Sequence, residues 1–268
     1  MGIKHVTAEE LRHFIRSHHE NDFVLVDVRQ PEEYRRGHIP GARLVPVAEL
    51  VHSPGRLPAD KTLVFYCHGG GRSMAAAVMA DEEAQGRAAI LNLNGGMLAW
   101  DGARLDDVPQ VRLFKGRPGA QMFATAIALE KGAQLFYETL ADDLAGKPGG
   151  DVFAKLAQAE SAHARAVYGF WQKNEPDLES FETLYERESG DILEGGMPLK
   201  QALRKAASRP ADGLRPFIET ALQIEYAAYD LYRAMADEDT AEAYRGAFLA
   251  LAQAEKGHMR ALIEALSG

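Results

Sequence analysis

The phrase Leu-Ala-Gln-Ala-Glu-x-x-His occurs twice in this chain of 268 residues, at 156–163 and again at 251–258, with six of its eight positions identical. The match extends upstream. Glu130 precedes Glu160 by thirty residues, Glu225 precedes Glu255 by the same thirty, and a tyrosine follows each upstream glutamate by seven, Tyr137 and Tyr232. An i, i+3 spacing sets Glu160 beside His163 and Glu255 beside His258 on one helix face. In an antiparallel helix pair, residues equidistant from the turn lie at one level. The midpoint of Glu130 and Glu160 is position 145, inside the turn-like stretch 144–148; the midpoint of Glu225 and Glu255 is position 240, at the end of 237–240. Each hairpin therefore faces two glutamates across its seam. Helical stretches at about 119–143, 148–173, 213–236 and 240–266 carry the pattern. The segment 174–212 is polar and broken by Pro176, Gly190, Gly195, Gly196, Pro198 and Pro210, with room for one short helix around 198–208. A connection of that length can run the height of a bundle, which predicts four helices with one long crossover.

Four glutamates converging in an apolar bundle are very costly as bare charges. A pair of cations would neutralise them, and four carboxylates with two imidazoles form a nitrogen and oxygen donor set suited to iron or manganese. The alternative is a set of outward-facing side chains on amphipathic helices. A lone Glu-x-x-His fits that alternative; two copies with matched upstream glutamates do not. From residue 111 onward the chain has two histidines, and both lie in the repeated phrase. Tyr137 and Tyr232 are placed either to hydrogen-bond the carboxylates or to fill the core.

On Glu130, Glu160, His163, Glu225, Glu255 and His258, the half from 119 to 268 resembles the rubrerythrin/erythrin branch of the ferritin-like superfamily, whose bundles hold this ligand pattern. The resemblance implies two iron ions and redox chemistry toward peroxide or dioxygen. Two departures stand out. Rubrerythrins commonly carry a further glutamate three residues after the third-helix ligand, and that position here is Ala228. They also usually carry a four-cysteine rubredoxin domain, whereas this chain has one cysteine, Cys67, so electrons would come from an external donor.

Before residue 105 the grammar differs. The runs at 23–28 (FVLVDV), 62–66 (TLVFY) and 89–93 are short and apolar, as buried parallel strands are. They alternate with helical signals: a capping box from Thr7 to Glu10, a proline-led turn at Pro31, and an alanine-rich helix at 73–85 closed by Gly86. The alternation predicts an α/β domain over 1–105 with a central parallel sheet. Residues 106–118 show no firm periodicity and are expected to link it to the all-α domain at 119–268.

Cys67 follows the strand TLVFY in the loop Cys67-His68-Gly69-Gly70-Gly71-Arg72-Ser73. Three glycines let the backbone turn tightly and aim several N–H groups inward, and the following helix N-terminus adds positive potential. Such a cradle favours a thiolate, a nucleophile able to form a covalent intermediate. Arg72 supplies a fixed positive charge for an anionic substrate. With Asp27-Val-Arg29, Glu33-Tyr34, the stretch 37–42 (GHIPGA) and the stretch 93–100 (LNGGMLAW), this loop resembles a single-domain rhodanese. The resemblance implies a sulfurtransferase whose Cys67 takes up sulfane sulfur as a persulfide and hands it to a thiol acceptor. Asp27 and Arg29 fall at structural positions of that family, and His38 sits in a scaffold motif. Related phosphatases and arsenate reductases place five residues between cysteine and arginine; four intervene here, which favours sulfur transfer. Loops active on thiosulfate often carry another basic residue beside the cysteine; His68 occupies that position, so a persulfide or polysulfide donor is as plausible as thiosulfate.

A net charge of −9 and a pI near 5.5 argue against nucleic acid as a partner. The longest apolar run, 74–80, is too short for a membrane span, and the single cysteine fits a reducing, cytoplasmic setting. The expectation is a sulfurtransferase fused to a di-iron redox bundle, working as a homodimer or small homo-oligomer. The alternative is an iron-binding, ferritin-like protein that uses the rhodanese half for docking or sulfur delivery.

Overall fold

Strand β1 (Lys4–Val6), helix α1 (Ala8–Ser17), β2 (Phe23–Asp27), α2 (Pro31–Arg35), β3 (Arg43–Leu44), α3 (Val47–His52), β4 (Thr62–Tyr66), α4 (Gly71–Ala84), β5 (Ile90–Leu93) and α5 (Gly96–Ala99) make up the first of two units, Met1–Val108. The computed structural model describes residues 2–117, 119–208, 213–237 and 242–267. All strand pairs are parallel, in the order β1-β5-β4-β2-β3. Every residue of β2 is buried, as expected for a strand covered on both faces. Its side chains alternate strictly. Val24, Val26 and Val28 join Leu63, Phe65 and Cys67 against Leu50 of α3 and Ala76 and Ala77 of α4. Phe23 and Leu25 join Val64 and Tyr66 against Leu11 of α1 and Trp100. Cys67 thus continues a core face of β4 and ends the strand at the sheet's carboxyl edge.

β1 and β3 were not anticipated. They have three and two residues, too few to display a period, and only Val6 of β1 is buried. Helices α3 and α5 are similarly short. Arg29 and Asp27 form a buried ion pair, Nη2 to Oδ2 at 2.7 Å, and the same Nη2 donates to the Gly37 carbonyl at 2.7 Å. His38 is buried and stacked on Tyr34, 3.8 Å between ring centres. These residues hold the scaffold.

The second unit, Pro109–Gly268, contains the long helices α6 (Gly119–Asp143) and α7 (Asp151–Asn174), then α8 (Phe181–Arg187), α9 (Leu199–Ala206), α10 (Arg215–Asp237) and α11 (Glu242–Ser267). α6 packs on α7, α10 on α11, and α7 on α11. The first turn spans 144–150, which contains the predicted midpoint 145 though its centre is 147, and Glu130 and Glu160 bring carboxylate oxygens within 4.8 Å of each other; the second turn, at 238–241, lies outside the described residues. The expected linker is not free chain: Val111–Leu113 form a 3-10 turn and Phe114 is buried edge-on against Phe248 of α11. Apolar packing overrides the absence of periodicity there. The crossover also holds more structure than the single helix expected. α8 is capped by the Ser180 hydroxyl, which accepts from the Thr183 amide at 3.2 Å, and it buries Phe181 and Leu184. α9 and a 3-10 turn at Glu194–Gly196 lie against both α6 and α10.

The bundle interior is two apolar clusters, not one. Leu129, Ala164, Ala228 and Ala252 belong to the first; Ala133, Ala157, Ile224 and Leu262 belong to the second. The glutamates at 130, 160, 225 and 255 fall between them on all four long helices, as a polar layer across an apolar core.

Candidate functional sites

Glu130, Glu160, Glu225 and Glu255 are each 0% exposed, and His258 is buried beside them. His258 Nδ1 lies 3.1 Å from Glu160 Oε1, 3.1 Å from Glu255 Oε2 and 3.2 Å from Glu225 Oε2. One ring nitrogen donates to one acceptor at a time. His163 Nδ1 lies 3.1 Å from Glu160 Oε2 and 3.4 Å from Glu130 Oε2, and the two imidazoles stack with centres 4.8 Å apart. Glu130 Oε2, Glu160 Oε1 and Glu255 Oε2 meet only an imidazole nitrogen that each shares with other carboxylates, and Glu255 Oε1 is buried with no hydrogen-bond partner. Native proteins rarely leave such atoms unsatisfied without an ion or functional reason. Among the described residues the donors fall into four overlapping groups whose ligand atoms lie within 4.8 Å of one another: Glu160, Glu225, Glu255 and His258; Glu130, His163 and Glu255; Glu160, His163 and His258; and Glu130, Glu160 and Glu194. Two cations suit this donor set; Glu160 and Glu255 could serve both.

The buried charges bear unequally on one another. Burial, then mutual repulsion, pushes Glu255 well above the usual carboxylate range, and burial likewise raises Glu130. Burial also disfavours ionised Glu160, but His258 and His163 outweigh it and hold that carboxyl at about 2. His163, against the cost of its own burial, is raised to about 10 by its hydrogen bonds to Glu130 and Glu160; His258 is raised further by its glutamates.

The two tyrosines settle their open alternative by crossing. Tyr137, from the first repeat, donates to Glu225 of the second; Tyr232, from the second, donates to Glu130 of the first at 2.5 Å. Both are fully buried. Sequence reasoning missed one acidic residue of this layer, Glu194. It comes from the crossover, is 1% exposed, and groups with Glu130 and Glu160. A lone glutamate in a broken polar segment has no period to mark it; the Gly195-Gly196 pair after it is the one local signal of a tight turn.

The cysteine loop is shaped from two sides. Gly70 takes a φ of 103°, which favours glycine, and its amide donates to Cys67 Sγ at 3.1 Å. On the other side, Met97 and Leu98 amides of α5 donate to the Cys67 and His68 carbonyls at 2.8 and 3.1 Å. Those carbonyls are thereby turned away from the sulfur. The approach requires Gly96: a Cβ there would fall 2.2 Å from the Cys67 carbonyl oxygen. Burial alone would raise the Cys67 pKa. The Ser73 hydroxyl and the amides of Ser73, Gly70 and Gly69 outweigh it, and the thiol lies below its ordinary value. The Ser73 hydroxyl also reaches the Gly70 carbonyl at 3.0 Å, so its one proton has two acceptors. His68, Gly69 and Gly71 are exposed. Arg72 does not extend free toward a substrate. It forms a two-point pair with Glu33 of α2, 2.6 and 2.7 Å, which lowers Glu33 to about 2. Arg72 still stands close enough to Cys67 for its charge to be felt there.

An amide-cradled cysteine at the end of a parallel strand, in one unit, and a carboxylate layer in a helical bundle, in the other, define a two-domain fusion of sulfur-handling and metal-binding type. Family models match accordingly: a rhodanese-like domain over residues 7–103 and rubrerythrin over residues 121–209. A sulfurtransferase of Allochromatium vinosum is 38% identical over 79 residues, 30% of this chain and 72% of that protein. The HTH-type transcriptional regulator Rv0324 of Mycobacterium tuberculosis is 39% identical over 95 residues, 35% of this chain and 40% of that protein, so this chain spans less than half its length. Among solved structures, a rhodanese-like domain protein from Staphylococcus aureus is 31% identical, with 39% of this chain and 98% of that one covered, at a TM-score of 0.33. The chain belongs to the rhodanese sulfurtransferase family through its first unit and carries a rubrerythrin domain in its second. No helix among the described residues is long and apolar enough to cross a membrane.

Proposed function

We propose that the first unit transfers sulfane sulfur through a persulfide on Cys67, and that the second holds two iron ions in its carboxylate layer as a redox centre. The observation that carries the sulfur half is the Gly70 amide 3.1 Å from a sulfur whose pKa is lowered by that amide, its neighbours and Ser73. The Cys67 thiolate attacks the outer sulfur of a persulfide donor. The donor's S–S bond breaks, its inner sulfur leaves as thiolate, and Cys67 keeps the outer sulfur. A thiolate acceptor then attacks that sulfur, takes it away, and restores the Cys67 thiolate. Inward-facing amides stabilise the anion at each stage. Arg72, fixed by Glu33, contributes positive charge nearby.

For the metal half, the supporting observation is the convergence of one nitrogen, His258 Nδ1, on three buried glutamates, which leaves their oxygens short of donors. Glu130, Glu160, His163, Glu225, Glu255 and His258 would hold the ions. Bound there, iron supplies one-electron steps toward peroxide, dioxygen or sulfur species, with electrons from an external donor. The protein's own part is to orient the carboxylates through Tyr137 and Tyr232 and to keep the layer dry between two apolar clusters.

Two measurements test the reading. Cys67→Ser should abolish sulfur transfer from a persulfide or thiosulfate donor to a thiol, and unchanged turnover would reject the assignment. Iron-loaded protein, prepared anaerobically, should carry two irons per chain. Its optical spectrum, followed with peroxide, oxygen and persulfide in turn, identifies the oxidant. Well under one iron per chain would remove the redox half.

A further inference from the structure

The repeat relates α6 and α7 to α10 and α11, but the crossover occurs once, and Glu194 comes from the crossover. Its carboxylate has an oxygen within 4.8 Å of ligand oxygens of both Glu130 and Glu160. Tyr232 Oη stands between two of these groups, 2.5 Å from Glu130 Oε1 and 3.5 Å from Glu194 Oε1. Glu194 Oε2 is buried and has no hydrogen-bond partner. The charges that act on Glu194 most strongly are Glu130, Glu160, Glu255 and Glu225, all of its own sign.

The backbone is built to bring this side chain inward. Gly195 and Gly196 take φ of 74° and 86°, a turn that favours glycine at both positions. The Leu193 amide donates to the Met197 carbonyl at 2.9 Å and the Gly196 amide to the Leu193 carbonyl at 2.9 Å, closing the loop on itself. On α6, a Cβ at Gly132 would fall 2.2 Å from the Ile192 carbonyl oxygen. On α10, a Cβ at Gly195 would fall 2.5 Å from that of Ala227. The crossover therefore seats directly on both helices at the height of the glutamates. A turn pressed between two helices could carry any apolar residue inward at less cost than a carboxylate among carboxylates.

We propose that Glu194 is a fifth carboxylate of the metal centre and serves one cation position only, the one bounded by Glu130, Glu160 and His163. The doubled sequence then holds two unequal ions. The inference rests on the di-metal reading above and deepens it. Four repeat carboxylates balance two divalent cations. The fifth adds a negative charge on one side and makes that position the tighter one. The grouping around His258 draws only on residues of the repeat, Glu160, Glu225 and Glu255.

The test is anaerobic calorimetric titration of the full chain with Fe(II), with bound iron measured on the same samples. Wild type should bind in two distinguishable events. Glu194→Gln should weaken the tighter event by roughly 10- to 100-fold and leave the other within about twofold. Glu130→Gln should weaken the same event as Glu194→Gln, and Glu225→Gln the other. The metal-free Glu194→Gln protein should melt no lower than metal-free wild type, because an amide of the same shape keeps an acceptor for Tyr232 and removes a buried like charge from beside Glu130 and Glu160. Unchanged isotherms, equal weakening of both events, or weakening of the event that follows Glu225 would each overturn the proposal. A lowered metal-free Tm with an unaltered isotherm would do so too, by making Glu194 a structural residue. Wild type that binds no iron would instead remove the di-metal reading itself, so the two failures are distinguishable.

Discussion

The crossed tyrosines make a prediction that an ordinary pair of core tyrosines would not. Tyr232→Phe removes the hydroxyl that donates to Glu130 at 2.5 Å, a length at the strong end for O–H to carboxylate. Donor and acceptor are both 0% exposed, so water does not replace the lost bond. A hydrogen bond to a charged group is worth about 1.5–3 kcal/mol, and 1.4 kcal/mol is tenfold in affinity, so one cation position should weaken roughly 10- to 150-fold. Because Tyr232 serves Glu130, the position affected is that of His163, although Tyr232 belongs to the repeat that carries His258. Tyr137→Phe should weaken the opposite position, where Glu225 and His258 lie. The assay is anaerobic Fe(II) titration of each variant and of the double variant. The single effects should fall on different binding events and add within about 0.5 kcal/mol in the double variant. If both substitutions act on the same event, or if neither moves affinity by more than about twofold, the tyrosines are core filling and the orientation argument is wrong.

Three further outcomes follow from the cysteine unit. Ser73→Ala removes the largest stabiliser of the Cys67 thiolate, so the acid limb of the sulfur-transfer pH profile should move to higher pH while rates converge in alkali; an unmoved limb would exclude Ser73 from this role. Gly96→Ala should cut turnover by about 100-fold and cost about 1–2 kcal/mol of stability, since its Cβ, 2.2 Å from the Cys67 carbonyl oxygen and at a φ of 55°, forces the loop to move by about 1 Å. Wild-type turnover in that variant would refute the close fit. Glu33 lies at about 2 in the folded unit against an ordinary 4.5, so its pair with Arg72 stabilises the fold above pH 4.5, and this contribution is lost as pH falls through about 2. The pair is 31% and 36% exposed, so Glu33→Gln should flatten the acid limb of a denaturation profile by no more than about 1 kcal/mol.

The convergence of the six repeat side chains was legible because a helix converts spacing into position. An i, i+3 step gives a shared face, and a common midpoint gives a shared height, with no tertiary information needed. The cysteine loop was legible for a different reason: strand, glycines and helix start are adjacent in sequence, so the cradle around Cys67 is local. What the sequence withheld is non-local. Arg72 and Glu33 are thirty-nine residues apart and on different helices, so nothing in the loop itself announces that the guanidinium is already engaged. Glu194 reaches the centre only because the crossover folds back over α6 and α10, and its neighbours in sequence describe a turn, not a ligand. Phe114 was read with the linker because a single aromatic has no period; its burial against Phe248 assigns it to the bundle.

The polar layer also explains how the bundle is organised around it. Five buried carboxylates with two imidazoles destabilise the metal-free fold, since burial raises Glu130, Glu194 and Glu255 and so disfavours their ionised forms. The stability to hold them must come from elsewhere, and among the described residues of this unit the pair of clusters on either side is the large apolar resource. Phe123, Tyr232 and Phe248 lie on one side, and Phe136, Tyr137 and Phe153 on the other. The layer is thus clamped from both ends by apolar packing that needs no cation. Binding then releases the repulsion and does not have to assemble the site. Cation binding should therefore raise the Tm of the bundle with little change in its helical content, in contrast to small metal domains that fold only when loaded.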